Sequence, residues 1–297
     1  MIITKTPFRM SFFGGGTDFP DYYKVHGGQV LSTTIDKYCY VTVRHLKPFF
    51  DYKDELVYSV TERVNNVDDI VHPAIREAMK WLDMHELRVV YDADLPARSG
   101  LGTSSSFAVG MLNAFNALKG KYADKHKLAE DAIYLERVLC NESGGVQDQI
   151  AAAYGGFNKI VFSENGFDVS PLIISKERKK ELNDNLMMFF SGMSRLSSDI
   201  AKEQTKTIEK KKNDLAEMSR LVDEAEKILT NKNIPLSVDD KEKIKAYIEE
   251  ITNEDNPFNN KIKVYFLEGN KDTDSKKLGT YGVIKGTNTF LGVTVKK

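Results

Sequence analysis

Residues 96–107 read PARSGLGTSSSF and run directly into AVGMLNAFNAL, so a loop of glycines and hydroxyls opens onto an apolar helical segment. The loop has little helix preference and packs no core of its own. Gly100 and Gly102 allow φ > 0, which turns backbone N–H groups inward. The following helix, expected over roughly 104–119, aims its unsatisfied N–H groups and partial positive charge into the same space. That combination binds phosphate. Thr103, Ser104, Ser105 and Ser106 add donors, or oxygen ligands for a magnesium ion. The plainer alternative is a turn with a serine N-cap. No GxxxxGK[ST] loop is present, and the run is not a GxGxxG unit.

Strands and helices are interleaved along the chain. Residues 1–13 and 29–46 read as strands rich in β-branched and aromatic residues. A helix is expected near 69–84, a strand at ELRVVYDADL, and a helix over about 124–140 from Leu128, Ala132, Leu135 and Leu139. GGFNKIVF and NLMMFFSG follow as strands, then a charged helix from about 197 to 231 with one apolar face, its lysines 210–212 solvated. KIKVYFLE and TYGVIKGTNTFLGVTV read as closing strands.

Two further loops carry chemistry. FFGGGTDF at 12–19 combines Gly14, Gly15, Gly16 and Thr17 with Asp18, which can accept hydrogen bonds from sugar hydroxyls or act as a turn cap. GGVQDQIAAAYGGFNKI at 144–160 places Asp148 between a glycine pair and an alanine-rich helix. A carboxylate beside phosphate can orient or deprotonate an attacking hydroxyl, while the bland reading is a helix cap or first-turn acid. Glu136 is a candidate magnesium ligand, or else a surface charge or a partner of Lys125 or Arg137.

Composition excludes several classes. With 42 basic and 43 acidic residues among 297, the net charge of −1 favours neither nucleic acid nor an anionic membrane. No stretch approaches the roughly 20 apolar residues of a membrane span, and the start lacks a signal pattern. A cytoplasmic location is expected, with Cys39 and Cys140 as free thiols in a reducing compartment and one disulfide as the alternative. The five histidines show no metal spacing, and no GxSxG elbow is present.

In order, TPFRMSFFGGGTDFPDYY, PARSGLGTSSSFAVG, GGVQDQIAAAYGGFN and SGMSRLSSDIAKEQ resemble the GHMP kinase superfamily over residues 1–232, and heptose 7-phosphate kinases in particular. The second stretch matches P-x-x-x-G-L-G-S-S-A, with Thr103 at the first hydroxyl position and serine replacing alanine. The resemblance implies an α+β fold with a ribosomal protein S5 domain 2-like ATP-binding domain at 1–170. The start of a C-terminal domain with its long helix follows at 171–232. It also implies ATP and Mg²⁺, and γ-phosphoryl transfer to a hydroxyl of a small sugar phosphate.

By position, Pro96, Arg98, Ser99, Gly100, Leu101, Gly102, Thr103, Ser104, Ser105 and Ser106 would wrap the nucleotide. Ser104 and Glu136 would hold Mg²⁺. Asp148 would be the catalytic carboxylate with Arg9 beside it, and Gly14 to Asp18 would bind the sugar. The family's third glycine-rich motif, of the form KLLGAGGGGF, is absent. Residues 233–297 form an atypical segment instead. From about 235 onward it resembles the early part of a nitroreductase-type flavoprotein, especially LGTYGVIKGTNTFLGV. A homodimer is one option for assembly, and a non-catalytic nucleotide- or sugar-binding protein is the alternative function.

Overall fold

The structure is a computed structural model that describes residues 1–97, 99–184, 186, 189–190, 208, 211–231 and 265–266. Arg98 lies outside the described residues, as do residues 197–207 of the expected charged helix and nearly all of 233–297. The described residues fall into two compact units. The first holds Met1–Pro171 with the later chain as far as Val222, and the second holds Leu172 onward and the chain from Asp223.

The first unit is built on a seven-stranded sheet. Its strands are β1 (Ile2–Phe13), β2 (Gly28–His45), β3 (Asp54–Val57), β4 (Thr61–Val64), β5 (Leu87–Ala93), β6 (Phe157–Ser163) and β7 (Gly166–Pro171). The order is β4-β3-β5-β2-β6-β7, with β1 paired to β2. Only β3 and β5 run parallel; the other pairs are antiparallel. The 18-residue β2 organises the sheet, since Cys39 to His45 pair with β5 and Gly28 to Thr33 pair with β6. Along β1, Thr4, Thr6 and Phe8 are buried and alternate with more exposed residues. The register between β1 and β2 shifts between Pro7 and Arg9, and such irregularities re-aim the side chain beside them.

Helices α1 (Pro20–His26), α2 (Pro73–Trp81), α3 (Thr103–Leu118), α4 (Lys125–Ile133) and α5 (Gln147–Tyr154) complete the unit. The helix expected near 69–84 is the shorter α2, because Pro73 fixes its start and His72 caps it through Ile75 N at 3.5 Å. The helix expected over 124–140 runs as α-helix only to Ile133 and continues as a π-helical turn, Tyr134–Leu139. Helix α3 packs tightly on the sheet. Thr4 Oγ1 donates to Gly110 O at 2.9 Å, and a Cβ at Gly110 would lie 2.7 Å from Thr6 Oγ1. Val30, Ala129, Val146, Ile150, Ile160 and Phe162 join α4, α5, β2 and β6 in one apolar cluster. Cys39 and Cys140 are free thiols.

In the second unit, α6 (Lys176–Asp184) contributes Arg178, which is 4% exposed. Its guanidinium donates to Leu229 O at 3.3 Å and Ile228 O at 2.7 Å, at the end of α7 (Lys212–Thr230). A cation on the last carbonyls of a helix satisfies its orphan acceptors. Residues Phe189–Phe190 (β8) and Tyr265–Phe266 (β9) pair antiparallel. Among the described residues no helix is long and apolar enough to cross a membrane.

Candidate active site

The glycine-hydroxyl loop enters α3 through Gly102, which caps the helix in the left-handed region at φ 71° and ψ 29°. No serine caps α3: its N-cap is Gly102, with no side-chain cap hydrogen bond among the described residues. The first-turn N–H groups have no intrahelical acceptor by construction, so this helix mouth is an anion-attracting surface. Gly100 also takes a positive φ, of 78°. Leu101 is buried and anchors the loop, while Pro96 and Gly100 are exposed. Ser99 Oγ is buried without a hydrogen-bond partner among the described residues. Ser106 faces away from the mouth and donates to Pro7 O at 2.9 Å.

Arg9, from β1, ties this loop to the start of α5. Its backbone N–H donates to Leu101 O at 3.1 Å and its Nη1 to Gly100 O at 3.0 Å. Its Nε and Nη2 lie 2.8 and 2.7 Å from Asp148 Oδ1. Asp148 stands in the first turn of α5 as a first-turn acid; the N-cap is Val146. A Cβ on Gly102 would lie 3.5 Å from Asp148 Oδ2, so this carboxylate stands beside the mouth of α3. Residues from β1, the 96–102 loop and α5 therefore meet at one point.

Glu136 is 2% exposed and belongs to the π-helical turn after α4. Such turns insert an extra residue and recur at functional sites. Ser104 Oγ donates to its Oε1 at 2.7 Å and Ser105 Oγ to its Oε2 at 2.8 Å, while Gln149 Nε2 also donates to Oε2. Glu136 is thus not a surface charge. Lys125 instead donates to Tyr154 O, and Arg137 donates to Gly145 O and Glu142 O. Among the described residues no lysine or arginine pairs with Glu136. A buried carboxylate held only by neutral donors is electrostatically incomplete, and a hard cation beside Oε1 and Ser104 Oγ would complete it. The donor set fits magnesium, although no cluster of three or more His, Cys, Asp or Glu forms among the described residues. Nearby Cys140 has its thiol pushed up to about 12 by burial, with Glu142 and Glu136 adding to it, which makes it a poor nucleophile.

The GGGTD loop lies against α5. Asp18 is 1% exposed, and its carboxylate accepts from Gly16 N and Gln147 N, each at 3.1 Å. Burial, and next the Asp148 charge, raise its carboxyl above the ordinary 3.8 despite these N–H donors. Asp18 does not cap α1, whose N-cap is Phe19 without a side-chain bond. It braces the loop against the residue preceding Asp148. Thr17 Oγ1 lies 2.7 Å from Gly14 O and accepts from Gln29 N at 3.1 Å. Gly14, at φ 89°, approaches Gln29 so closely that a Cβ would lie 2.0 Å from its carbonyl oxygen. Gly15 and Gly16 continue the loop beside Gln147 and Leu215.

Known proteins resemble this chain in sequence and in fold. The model of the GHMP kinases N terminal domain matches residues 65–156, which include the loop, α3, Glu136 and Asp148. The chain is 31% identical over 212 residues to D-glycero-alpha-D-manno-heptose 7-phosphate kinase of Campylobacter jejuni, covering 67% of this chain and 62% of that protein. It is 27% identical over 236 residues to the L-fucokinase/L-fucose-1-P guanylyltransferase of Bacteroides fragilis, covering 67% of this chain and 25% of the relative. The chain therefore spans less than two thirds of the length of these relatives. The crystal structure of a D-glycero-D-manno-heptose 1-phosphate kinase from Bacteroides thetaiotaomicron superposes with a TM-score of 0.59 at 24% identity, covering 74% of each chain. The fold is that of the GHMP kinases.

Sequence reasoning overlooked three participants. Gln149, Gln147 and Ser11 all belong to the site's framework, with Ser11 Oγ donating to Gln147 Oε1 at 2.6 Å. The QDQ triplet around Asp148 was the available signal, since two amides flanking a carboxylate at a helix start can each serve a different neighbour.

Proposed function

We propose that the chain is an ATP-dependent sugar kinase that transfers a γ-phosphoryl group to a hydroxyl of D-glycero-D-manno-heptose 7-phosphate, a small-molecule substrate met in the cytoplasm. The observation that carries this reading is the placement of two acidic sites beside one helix mouth: Asp148 with Arg9, and Glu136 with Ser104 and Ser105. The function of the Campylobacter relative supports the sugar. Within this proposal, 1–170 is the ATP-binding domain, 171–232 begins the second domain, and 233–297 is an atypical end.

Phosphoryl transfer depends on positioning and charge stabilisation more than on covalent chemistry by the protein. The N–H groups of the Gly100–Ser106 region cradle phosphate oxygens, and Ser99 Oγ, without a partner among the described residues, has a hydrogen bond to offer. Ser104 and Glu136, whose side chains meet through Ser104 Oγ and Glu136 Oε1, would hold Mg²⁺. A bound magnesium ion neutralises charge on the β- and γ-phosphates. Asp148 orients the sugar hydroxyl and takes its proton as the new O–P bond forms and the bond to the bridging oxygen breaks. Arg9 keeps that carboxylate and the Gly100 carbonyl in fixed relation. Thr17, Asp18 and the three glycines shape the sugar side.

The test is ATP consumption with a panel of sugars and sugar phosphates, the heptose 7-phosphate among them. Turnover that Asp148→Asn removes supports the reading; silence across the panel overturns it. A second reading, a non-catalytic nucleotide- or sugar-binding protein, is favoured by the absence of a KLLGAGGGGF-like motif. Any turnover dependent on Asp148 excludes it.

A further inference from the structure

Glu136 is surrounded asymmetrically. Among the described residues its Oε2 receives two donors, Ser105 Oγ at 2.8 Å and Gln149 Nε2, whereas its Oε1 receives Ser104 Oγ at 2.7 Å and no other. Gln149 is fully buried, Ser105 is 4% exposed, and Ser104 is exposed. Gln149 Oε1 has no partner among the described residues. Burying an amide with its carbonyl unmet is unfavourable, because the carbonyl gives up its bond to water without replacing it. A purely apolar side chain would fill the same volume without that cost, so the amide's contribution lies in its N–H.

We infer that Gln149 is a positioning residue for the cation site: with Ser105 it locks Glu136 Oε2 and so presents Oε1, beside Ser104 Oγ, to the metal. The inference rests on the kinase reading above. Oε2 has its acceptor directions occupied by two buried donors, which leaves Oε1 as the oxygen with spare capacity toward the helix mouth. Gln149 also follows Asp148 directly in the first turn of α5. One helix start therefore sets both acidic groups, Asp148 through its own backbone and Glu136 through the neighbouring amide. Donors that orient a ligating carboxylate carry about 10- to 100-fold in metal affinity.

The experiment uses the full chain with Mn²⁺ and a non-hydrolysable ATP analogue, following bound Mn²⁺ by electron paramagnetic resonance. Wild type, Gln149→Met, Ser105→Ala and Ser104→Ala are compared, with thermal melts alongside. We expect Gln149→Met to weaken Mn²⁺ binding about tenfold or more, with Ser105→Ala following in the same direction. Affinity for the metal-free analogue should stay within about twofold, because the amide acts on the metal and not on the nucleotide. Unchanged Mn²⁺ affinity in Gln149→Met, with only a lowered melting temperature, overturns the inference while leaving the kinase reading intact. Should Gln149→Met fail to fold, Ser105→Ala decides, since it removes the other donor to Oε2. Wild-type protein that binds no Mn²⁺ with the analogue overturns the kinase reading and this inference together.

Discussion

Gly145 lies so close to Asp18 that a Cβ built on it would sit 1.8 Å from Asp18 Oδ2. Gly145 does not take a positive φ, so space and not backbone conformation demands glycine here. The contact lets Asp18 reach Gln147 N and hold the GGGTD loop to the start of α5. Replacing Gly145 by alanine forces the loop or the helix start to move. Gly145→Ala should cost about 1–3 kcal/mol in urea unfolding, as overpacking does, and should lower turnover because Asp148 moves with α5. Equal stability of the two proteins would contradict the close approach.

Asp148 faces the mouth of α3 while Arg9 holds its Oδ1. Asp148→Asn keeps the shape but removes the proton acceptor. We expect kcat to fall by about 10²- to 10⁴-fold while affinity for the magnesium-nucleotide analogue changes little. Steady-state kinetics paired with calorimetry separate the two effects. A variant that loses nucleotide binding and turnover equally would assign Asp148 to binding.

The raised carboxyl of Asp18 gives a signed pH effect. The folded state holds this proton more tightly than the unfolded chain, so the native state binds more protons above the ordinary 3.8. The resulting stability is fully present below that value and is lost as pH rises through the folded one. Asp18→Asn removes the titration. The stability of wild type relative to Asp18→Asn should therefore be greater near pH 4 than near pH 7, measured by denaturant midpoints at both. A difference of the opposite sign would refute the burial argument.

Gly102 caps α3 at positive φ, and a Cβ there would lie 3.2 Å from Arg9 Cγ. Gly102→Ala should cost about 1–2 kcal/mol from left-handed backbone strain alone. It should also raise the KM for ATP, because Arg9 and the loop N–H groups are displaced together. Thermal unfolding and ATP titration check the two parts.

Much of the local structure was legible from side-chain periodicity. The strand character of 1–13 and 29–46 appears as β1 and β2, and the apolar run after the glycine loop appears as α3, within a residue or two of its expected start. Helix α4 was only partly legible, because Leu135 and Leu139 continue the helical spacing even where the backbone widens into a π turn at Tyr134–Leu139. Short strands such as β3 and β4 carry too few residues for a period to show, and their pairing is set by the rest of the sheet.

For the site, the sequence by itself determined the chemistry on offer: glycines where φ turns positive at 100 and 102, hydroxyls at a helix start, and carboxylates at 18, 136 and 148. It did not determine which of these groups face one another. Arg9 meets Asp148 across 139 residues, and Ser104 meets Glu136 across 32. Such pairings depend on β1 lying along β2 and on α3, α4 and α5 packing together, which no local pattern encodes. Tertiary packing also decided burial. It turned Asp18 into an internal brace, and it enclosed Glu136 among neutral donors where a cation has most to gain. The physical reason is that propensity and periodicity act over one or two turns of chain, whereas desolvation and hydrogen-bond geometry are set by whichever distant segment closes over a residue.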